Sequence, residues 1–217
     1  MPSLTNVILP GAFKYKDDVT IRGSIRFIPL SLTDIGALQR FFPKVKERII
    51  SEKRVNREVK PQVSLSQPAI LKGKNDWDRM DRTIEVMSVS DNNYSEEEMK
   101  ELDLSGFVNL RKIKVGDECF IYVKKVNICG LKELESVEIG SKSFRRDSDM
   151  KRGSFCLKNC PKLKSLKMGF CSFEDYLVCE IKNVDALEVI EMGKLSDWSG
   201  NFWHASLELK SILIHSE

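Results

Sequence analysis

The second half of the chain repeats one pattern, and this repeat restricts the fold more than any other feature of the sequence. The pattern reads Leu-x-x-apolar-x-apolar-Gly and occurs at 110–116, 134–140, 163–169 and 187–193. The leading leucines are 24, 29 and 24 residues apart, and extra polar residues within 145–154 explain the longer interval. Self-similarity at this period is typical of proteins that stack one structural unit per repeat.

Each repeat continues with an aromatic residue and a second apolar-x-apolar element. The aromatic residue follows the glycine by four positions at Phe120, Phe144 and Phe173, and Trp198 lies one residue late in the last repeat. The second element comprises Leu102 and Leu104, Val126 and Ile128, Phe155 and Leu157, Cys179 and Ile181, and Leu207 and Leu209. Residues that readily adopt left-handed backbone angles follow the first four of these pairs, namely Gly106, Gly130, Asn159 and Asn183.

Alternating apolar residues predict strands, so the pattern indicates a mainly β solenoid with two short strands per coil. We assign residues 84–217 to this solenoid and residues 1–27 to an N-terminal coil that contains Val7 and Ile21. The intervening residues 28–83 are either an irregular basic insert or a degenerate repeat. Apolar residues between Val45 and Val59 predict a short helix in that segment.

The outward positions of the predicted strands carry charges that alternate from coil to coil. One column follows the leading residue and contains Glu85, Arg111, Glu135, Lys164 and Glu188. A second column lies between the two inward residues of the first strand and contains Lys114, Glu138, Lys167 and Glu191. Because neighbouring strands lie about 4.8 Å apart, stacking the repeats in register would place opposite charges side by side.

These residues resemble the leucine-rich-repeat family, in particular the 23 to 24 residue class of surface-antigen-like repeats whose loop carries an aromatic residue. The resemblance implies a stacked β architecture that serves as an interaction surface. The commonest repeat of the family has an asparagine eight residues after the leading leucine. This chain has Ala12, Glu118, Lys142, Cys171 and Leu195 at those places. The asparagine ladder of the family is therefore not expected here.

The sequence offers little for catalysis, and we predict that the chain is not an enzyme and holds no cofactor or metal. Its two histidines, His204 and His215, lie near the carboxyl end and match no triad or metal-ligand spacing. Four thiols that could in principle bind zinc belong to Cys156, Cys160, Cys171 and Cys179. The predicted register points Cys156 outward and Cys179 inward, so their thiols would not converge on a metal ion.

We therefore expect a non-enzymatic scaffold that binds an unidentified partner protein through the outward residues of the first strands. The predicted contact residues are Lys112, Lys114, Ser136, Glu138, Ser165, Lys167, Val189 and Glu191. An alternative is binding of nucleic acid or an anionic membrane through the basic segment 44–60, which has seven bases and three acids. Three acids and the lack of interleaved aromatic residues make nucleic acid the less favoured partner.

The remaining expectations concern location and assembly. No stretch approaches the roughly 20 apolar residues needed to span a bilayer, and the first residues lack signal-peptide character, so we expect a cytoplasmic protein. The repeats show no polar cap at either end, so we also expect that the terminal coils can associate end to end.

Overall fold

The computed structural model describes residues 6–8, 20–22, 68–145, 153–193 and 200–210. These residues are mainly β, arranged in two parallel sheets, with one short helix, α1 (Lys74–Asp78). Sheet A comprises β1 (Asn6–Ile8), β3 (Ala69–Leu71), β4 (Val86–Val89), β6 (Lys112–Val115), β8 (Ser136–Ile139), β10 (Ser165–Met168) and β12 (Val189–Met192). Sheet B comprises β2 (Thr20–Arg22), β5 (Glu101–Asp103), β7 (Lys125–Cys129), β9 (Gly153–Lys158), β11 (Tyr176–Lys182) and β13 (Ser206–Lys210).

The predicted register is confirmed wherever these strands pair. In sheet A, Ile113 lies opposite Val137, Val137 opposite Leu166, and Leu166 opposite Ile190, and all four side chains are buried. The leading leucines form a buried row of the same kind, since Leu110, Leu134, Leu163 and Leu187 are each 0% exposed. Residues about two dozen apart in sequence therefore lie side by side, with their apolar side chains between the sheets.

The amino-terminal strands lie at a place that the sequence did not indicate. Strand β1 pairs with β12 and β2 pairs with β13, so both lie beyond the last repeat rather than before the first. At the opposite end β3 pairs with β4, and α1 follows it. Part of segment 28–83 thus belongs to sheet A, whereas the helix predicted between Val45 and Val59 lies outside the described residues.

The two ends of the paired repeats differ, and end-to-end association of the terminal coils stays a prediction. Strands β1 and β2 extend the two sheets at one end. At the other end Trp77 of α1 is half-buried, and its ring centre lies 6.1 Å from that of Tyr94. The Tyr94 hydroxyl donates a 2.6 Å hydrogen bond to the carbonyl of Gly73, which holds the start of α1 against the first repeat.

A continuous aromatic stack runs through the corner that leads from sheet A to sheet B. It consists of Tyr94, Phe120, Phe144, Phe173 and Phe202, with ring centres 5.1, 5.1, 4.6 and 4.9 Å apart. Phe202, not Trp198, occupies the aromatic position of the last repeat, so that assignment was wrong. All five residues have left-handed φ angles between 48° and 58°. Such angles cost non-glycine residues roughly 1–2 kcal/mol each, and burial of the rings offsets this cost.

A ladder of buried polar side chains lies beside the aromatic stack. Ser143 donates to the carbonyl of Gly116 at 2.8 Å, and Ser172 donates to that of Gly140 at 2.6 Å. Asn201 donates to the carbonyl of Gly169 at 2.6 Å. Ser143 and Ser172 lie nine residues after the leading leucine, one position later than the family's asparagine. Serine and Asn201 side chains therefore supply hydrogen bonds between repeats, in place of an asparagine at that earlier position.

The glycines that end the strands of sheet A allow the repeats to approach closely. A Cβ atom added at Gly140 would lie 2.4 Å from the backbone carbonyl of Gly116, and one at Gly169 would lie 2.4 Å from the amide nitrogen of Ser141. At the corner after sheet B, Gly130, Asn159 and Asn183 have left-handed φ angles as predicted. Gly106, predicted to share this conformation, does not adopt it.

Candidate protein-binding surface

The predicted contact residues lie together on the outer face of sheet A, which we define as the outward side chains of its strands. They form two columns that cross β6, β8, β10 and β12. The first column contains Lys112, Ser136, Ser165 and Val189, and the second contains Lys114, Glu138, Lys167 and Glu191. Strand geometry explains the grouping, because alternate residues of each strand point to the same side of the sheet.

Six of these eight residues line an open depression of about 450 Å³ on the outer face of sheet A. They are Lys112, Lys114, Ser136, Glu138, Ser165 and Lys167, whereas Val189 and Glu191 are not among its lining residues. The serines have short side chains between longer lysines and a glutamate, so they form low points of the surface. The depression is therefore a consequence of side-chain size at fixed register positions.

Pro68, Val86 and Ser88 also line the depression, although they are not among the predicted contact residues. Val86 lies opposite Lys112, and Ser88 lies opposite Lys114. The signal was present in the sequence, because Met87 and Val89 have the same apolar-x-apolar spacing as the inward residues of β6. Extending the two outward columns by one repeat would have found both residues. Pro68 directly precedes β3 and lies in the segment whose register the sequence did not define.

The charge column that directly follows the leading residues borders the depression. Its first three members, Glu85, Arg111 and Glu135, form ion pairs as predicted. Arg111 lies between two acids, with Glu135 at 2.5 Å and Glu85 at 4.0 Å. Hydrogen bonding to Glu135 and the charges of the two carboxylates raise the pKa of Arg111. In the second column Lys167 lies 3.2 Å from Glu191. These pairs are partly exposed, so each contributes little stability and mainly favours the observed register.

Two lysines of the depression lack such partners. Among the described residues, no carboxylate lies within 4.0 Å of the Lys112 or Lys114 ammonium group, and Glu138 has no ion pair either. Lys114 and Glu138 are opposite each other in register, yet their charged groups do not meet. The depression therefore presents two cationic groups that the fold does not use.

The outer face of sheet B differs, because most of its described charged groups pair with each other. Lys125 lies 2.6 Å from Glu101, and Glu180 contacts both Lys158 and Lys182. Burial alone would raise the pKa of Glu180, but hydrogen bonds from the two lysines lower it overall. These five charged groups thus satisfy one another.

The cysteines follow the predicted orientations. Cys179 is buried in the core, and Cys156 points outward on β9. The sequence did not predict that the sulfur of Cys156 lies 3.5 Å from that of Cys129. Cys129 is opposite Lys158 rather than Cys156, so the two cysteines are diagonal neighbours, which is unfavourable for a disulfide. Burial, together with a hydrogen bond to Cys156, raises the pKa of Cys129 to about 12, so its thiol stays protonated at neutral pH.

The other candidate sites acquire no support from the geometry. No three histidine, cysteine or acidic side chains converge in a metal-binding arrangement within the described ranges. His204 is half-buried, and His215 and the basic segment 44–60 lie outside the described residues. In the described part of the chain, no helix has the length and apolar character required to cross a membrane.

Comparison with known proteins adds no relative. Neither a scan against protein-family models nor searches of curated proteins and of solved structures found a match to this chain.

Proposed function

We propose that this chain is a leucine-rich-repeat solenoid that serves as a non-enzymatic protein-interaction scaffold in the cytoplasm. The solenoid assignment is supported by parallel pairing of successive repeats in both sheets and by the aromatic stack at one corner. The unit of about 24 residues adds one strand to each sheet, which is the arrangement expected when a repeat buries its apolar face against its neighbours.

The observation that carries the binding function is the depression on the outer face of sheet A. The depression has a volume of about 450 Å³ and gathers side chains from the four strands β4, β6, β8 and β10. Two of its lysines have no acidic partner among the described residues. Charged groups that stabilise a fold are usually paired or fully solvated, whereas half-buried Lys112 lines a concave surface. Concave strand surfaces are also what repeat proteins commonly use to bind partners.

Site-specific photocrosslinking in living cells tests this proposal. A benzophenone amino acid at Ser136, on the outer face of sheet A, should form an adduct with a partner protein. The matched control is Ser154, which is also half-buried but lies on the outer face of sheet B. We expect a discrete protein adduct from position 136 and little or none from position 154. Equal labelling from both positions, or adducts with nucleic acid or lipid alone, would contradict a scaffold that binds through sheet A.

A further inference from the structure

The unpaired lysines of the depression indicate the chemistry of the partner. Among the other outward cations within the strands whose side chains the structure describes, Lys125, Lys158, Lys167 and Lys182 each have a carboxylate within 4.0 Å. Lys112 and Lys114 differ, and both lie on β6 with one residue between them. They project from the same side of the strand, with Cα atoms roughly 6.6 Å apart given a rise of about 3.3 Å per residue.

We propose that the depression on sheet A binds an acidic, extended segment of a partner protein through Lys112 and Lys114. In such a segment alternate side chains point the same way with the same spacing of roughly 6.6 Å, so carboxylates two residues apart match the two ammonium groups. The hydroxyls of Ser88, Ser136 and Ser165 line the same depression and provide donors and acceptors for the peptide. This inference rests on the proposed function of the same surface.

The apolar end of the depression favours a peptide over a small acidic molecule. Pro68 and Val86 line it beside the lysines, and Ile70 on β3 is 55% exposed at the same edge of sheet A. An apolar side chain next to the acidic residues would cover part of this surface. The partner segment should therefore combine acidic residues with at least one apolar residue.

The acidic groups on the same face distinguish a short acidic segment from a long polyanion. Glu138 lines the depression next to Lys114, and Glu191 lies on the outer face two strands further along. A nucleic acid or an anionic membrane presents negative charge uniformly, so it would meet both glutamates as well as the lysines. A peptide with two carboxylates at one end can contact Lys112 and Lys114 and leave Glu138 beside neutral or basic residues.

Fluorescence anisotropy with synthetic peptides tests the inference on the full chain. The probe is a fluorescein-labelled heptapeptide, Gly-Asp-Ser-Asp-Ser-Leu-Gly, in which the two aspartates and the leucine share one face of the extended chain. Its counterpart has lysine in place of both aspartates. We expect the wild-type chain to bind the acidic peptide at least tenfold more tightly than the basic one. We also expect affinity to fall as salt concentration rises, because the contacts are exposed charge pairs.

Charge reversal then locates the site. The variant K112E/K114E should lose at least tenfold in affinity for the acidic peptide and gain affinity for the basic one. The control R79E/K132E makes the same change in net charge at two exposed positions outside the depression, and it should keep wild-type affinity. An unfolded variant would bind neither peptide. If K112E/K114E binds the basic peptide more tightly than the wild-type chain does, its loss of affinity for the acidic peptide is due to lost contacts and not to unfolding.

Specific outcomes would overturn the inference. It fails if the two peptides bind the wild-type chain equally, or if the control variant loses as much affinity as K112E/K114E. It also fails if single-stranded DNA or phosphatidylserine vesicles bind through the two lysines more tightly than the peptide. A protein adduct from position 136 whose crosslinked segment lacks acidic residues would refute this inference and leave the scaffold function intact. Absence of any protein adduct at that position would contradict the scaffold function itself.

Discussion

Sheets A and B join the same repeats, but they accommodate variation in opposite ways. In sheet A, β4, β6, β8, β10 and β12 are all four residues long. In sheet B, the strands range from three residues in β5 to seven in β11, and pairing is irregular between Tyr176 and Val178. The extra residues of the longest repeat also lie between Phe144 and the start of β9 in sheet B. Strand length is therefore constant among the repeats in sheet A, and the variation in repeat length is accommodated in sheet B.

The reason lies in what each sheet contacts at its ends. Strands β6, β8 and β10 end at glycines whose Cα atoms approach the backbone of the preceding repeat, so a side chain does not fit there. In sheet B the close contacts involve side chains. Gly153 lies opposite Tyr176, and the Tyr176 ring occupies the space that a side chain at Gly153 would fill. The Tyr176 hydroxyl thereby reaches the carbonyl of Val123, 53 residues away in sequence, at 2.8 Å.

The largest loss of stability is expected at the corner between sheets A and B, where the aromatic stack lies. Phe144→Ala should lower the free energy of unfolding by about 3–5 kcal/mol, because it leaves a cavity between Phe120 and Phe173 in the stack. The control Phe170→Ala removes a half-buried ring outside the stack and should cost about 1 kcal/mol. Urea unfolding monitored by circular dichroism measures both values. Equal losses would show that the stack contributes no more than an ordinary partly buried aromatic residue.

Glycine substitutions compare the two sheets directly. Gly140→Ala places a methyl group against backbone atoms, and we expect a loss of about 3 kcal/mol or more. Gly153→Ala meets the Tyr176 ring, which can move, so a smaller loss of about 1–3 kcal/mol is expected.

Gly73→Ala is the control for both, because Gly73 has an extended φ of 170° and nothing within 4 Å of its added Cβ. Thermal melts of the three variants should rank Gly140, then Gly153, then Gly73, from most to least destabilised. If Gly153→Ala proves worse than Gly140→Ala, sheet B is the less tolerant of the two, contrary to our interpretation.

The contrast between the sheets also explains what the sequence could predict. The register of sheet A followed from the spacing of apolar residues and glycines, and the six lining residues of the depression followed from that register. The aromatic position failed in the last repeat, where Phe202 rather than Trp198 stacks on Phe173, because residues inserted before a corner shift the count. Placement of β1 beside β12 depends on which sheet edge is free, and periodicity carries no information about that choice.

Side-chain pairing was also only partly predictable. Sequence columns indicated that Arg111 lies between Glu85 and Glu135, and the ion pairs form. The same columns implied pairing of Lys114 with Glu138, which does not occur. Register sets which residues are neighbours, but the rotamers of long exposed side chains decide whether charges meet.

Tyr176→Phe tests the contribution of the buried Tyr176 hydroxyl, which the ring beside Gly153 carries into the core. Burial raises the pKa of Tyr176 well above 10, so the folded state keeps a proton that the unfolded chain releases above about pH 10. The free energy of unfolding should therefore fall as pH rises above 10, and the variant should show a shallower decline. At neutral pH the lost hydrogen bond should cost about 1 kcal/mol. Melting temperatures between pH 7 and 11 measure both effects, and an unchanged slope would contradict burial of the hydroxyl.

The smallest effect concerns the outer face of sheet A. Glu138→Lys would place three lysines in adjacent register positions, with Lys114 and Lys167 on either side, and should cost about 0.2–1 kcal/mol at low salt. A control acid must have no ion pair of its own. This requirement excludes Glu133, because its carboxylate lies 2.6 Å from the Lys162 ammonium group. Glu98 is exposed and has no ion pair among the described residues, so Glu98→Lys should leave stability almost unchanged.

High salt should abolish the difference between these two variants, since screening weakens repulsion between exposed charges. The same substitution carries a second consequence if the depression binds acidic segments. Glu138→Lys removes the acid beside Lys114, so it should strengthen binding of the acidic heptapeptide while it weakens the fold. A substitution that moves stability and affinity in opposite directions would show that Lys112 and Lys114 are left unpaired for a ligand. Parallel losses of stability and affinity would instead mean that the face serves the repeat stack alone.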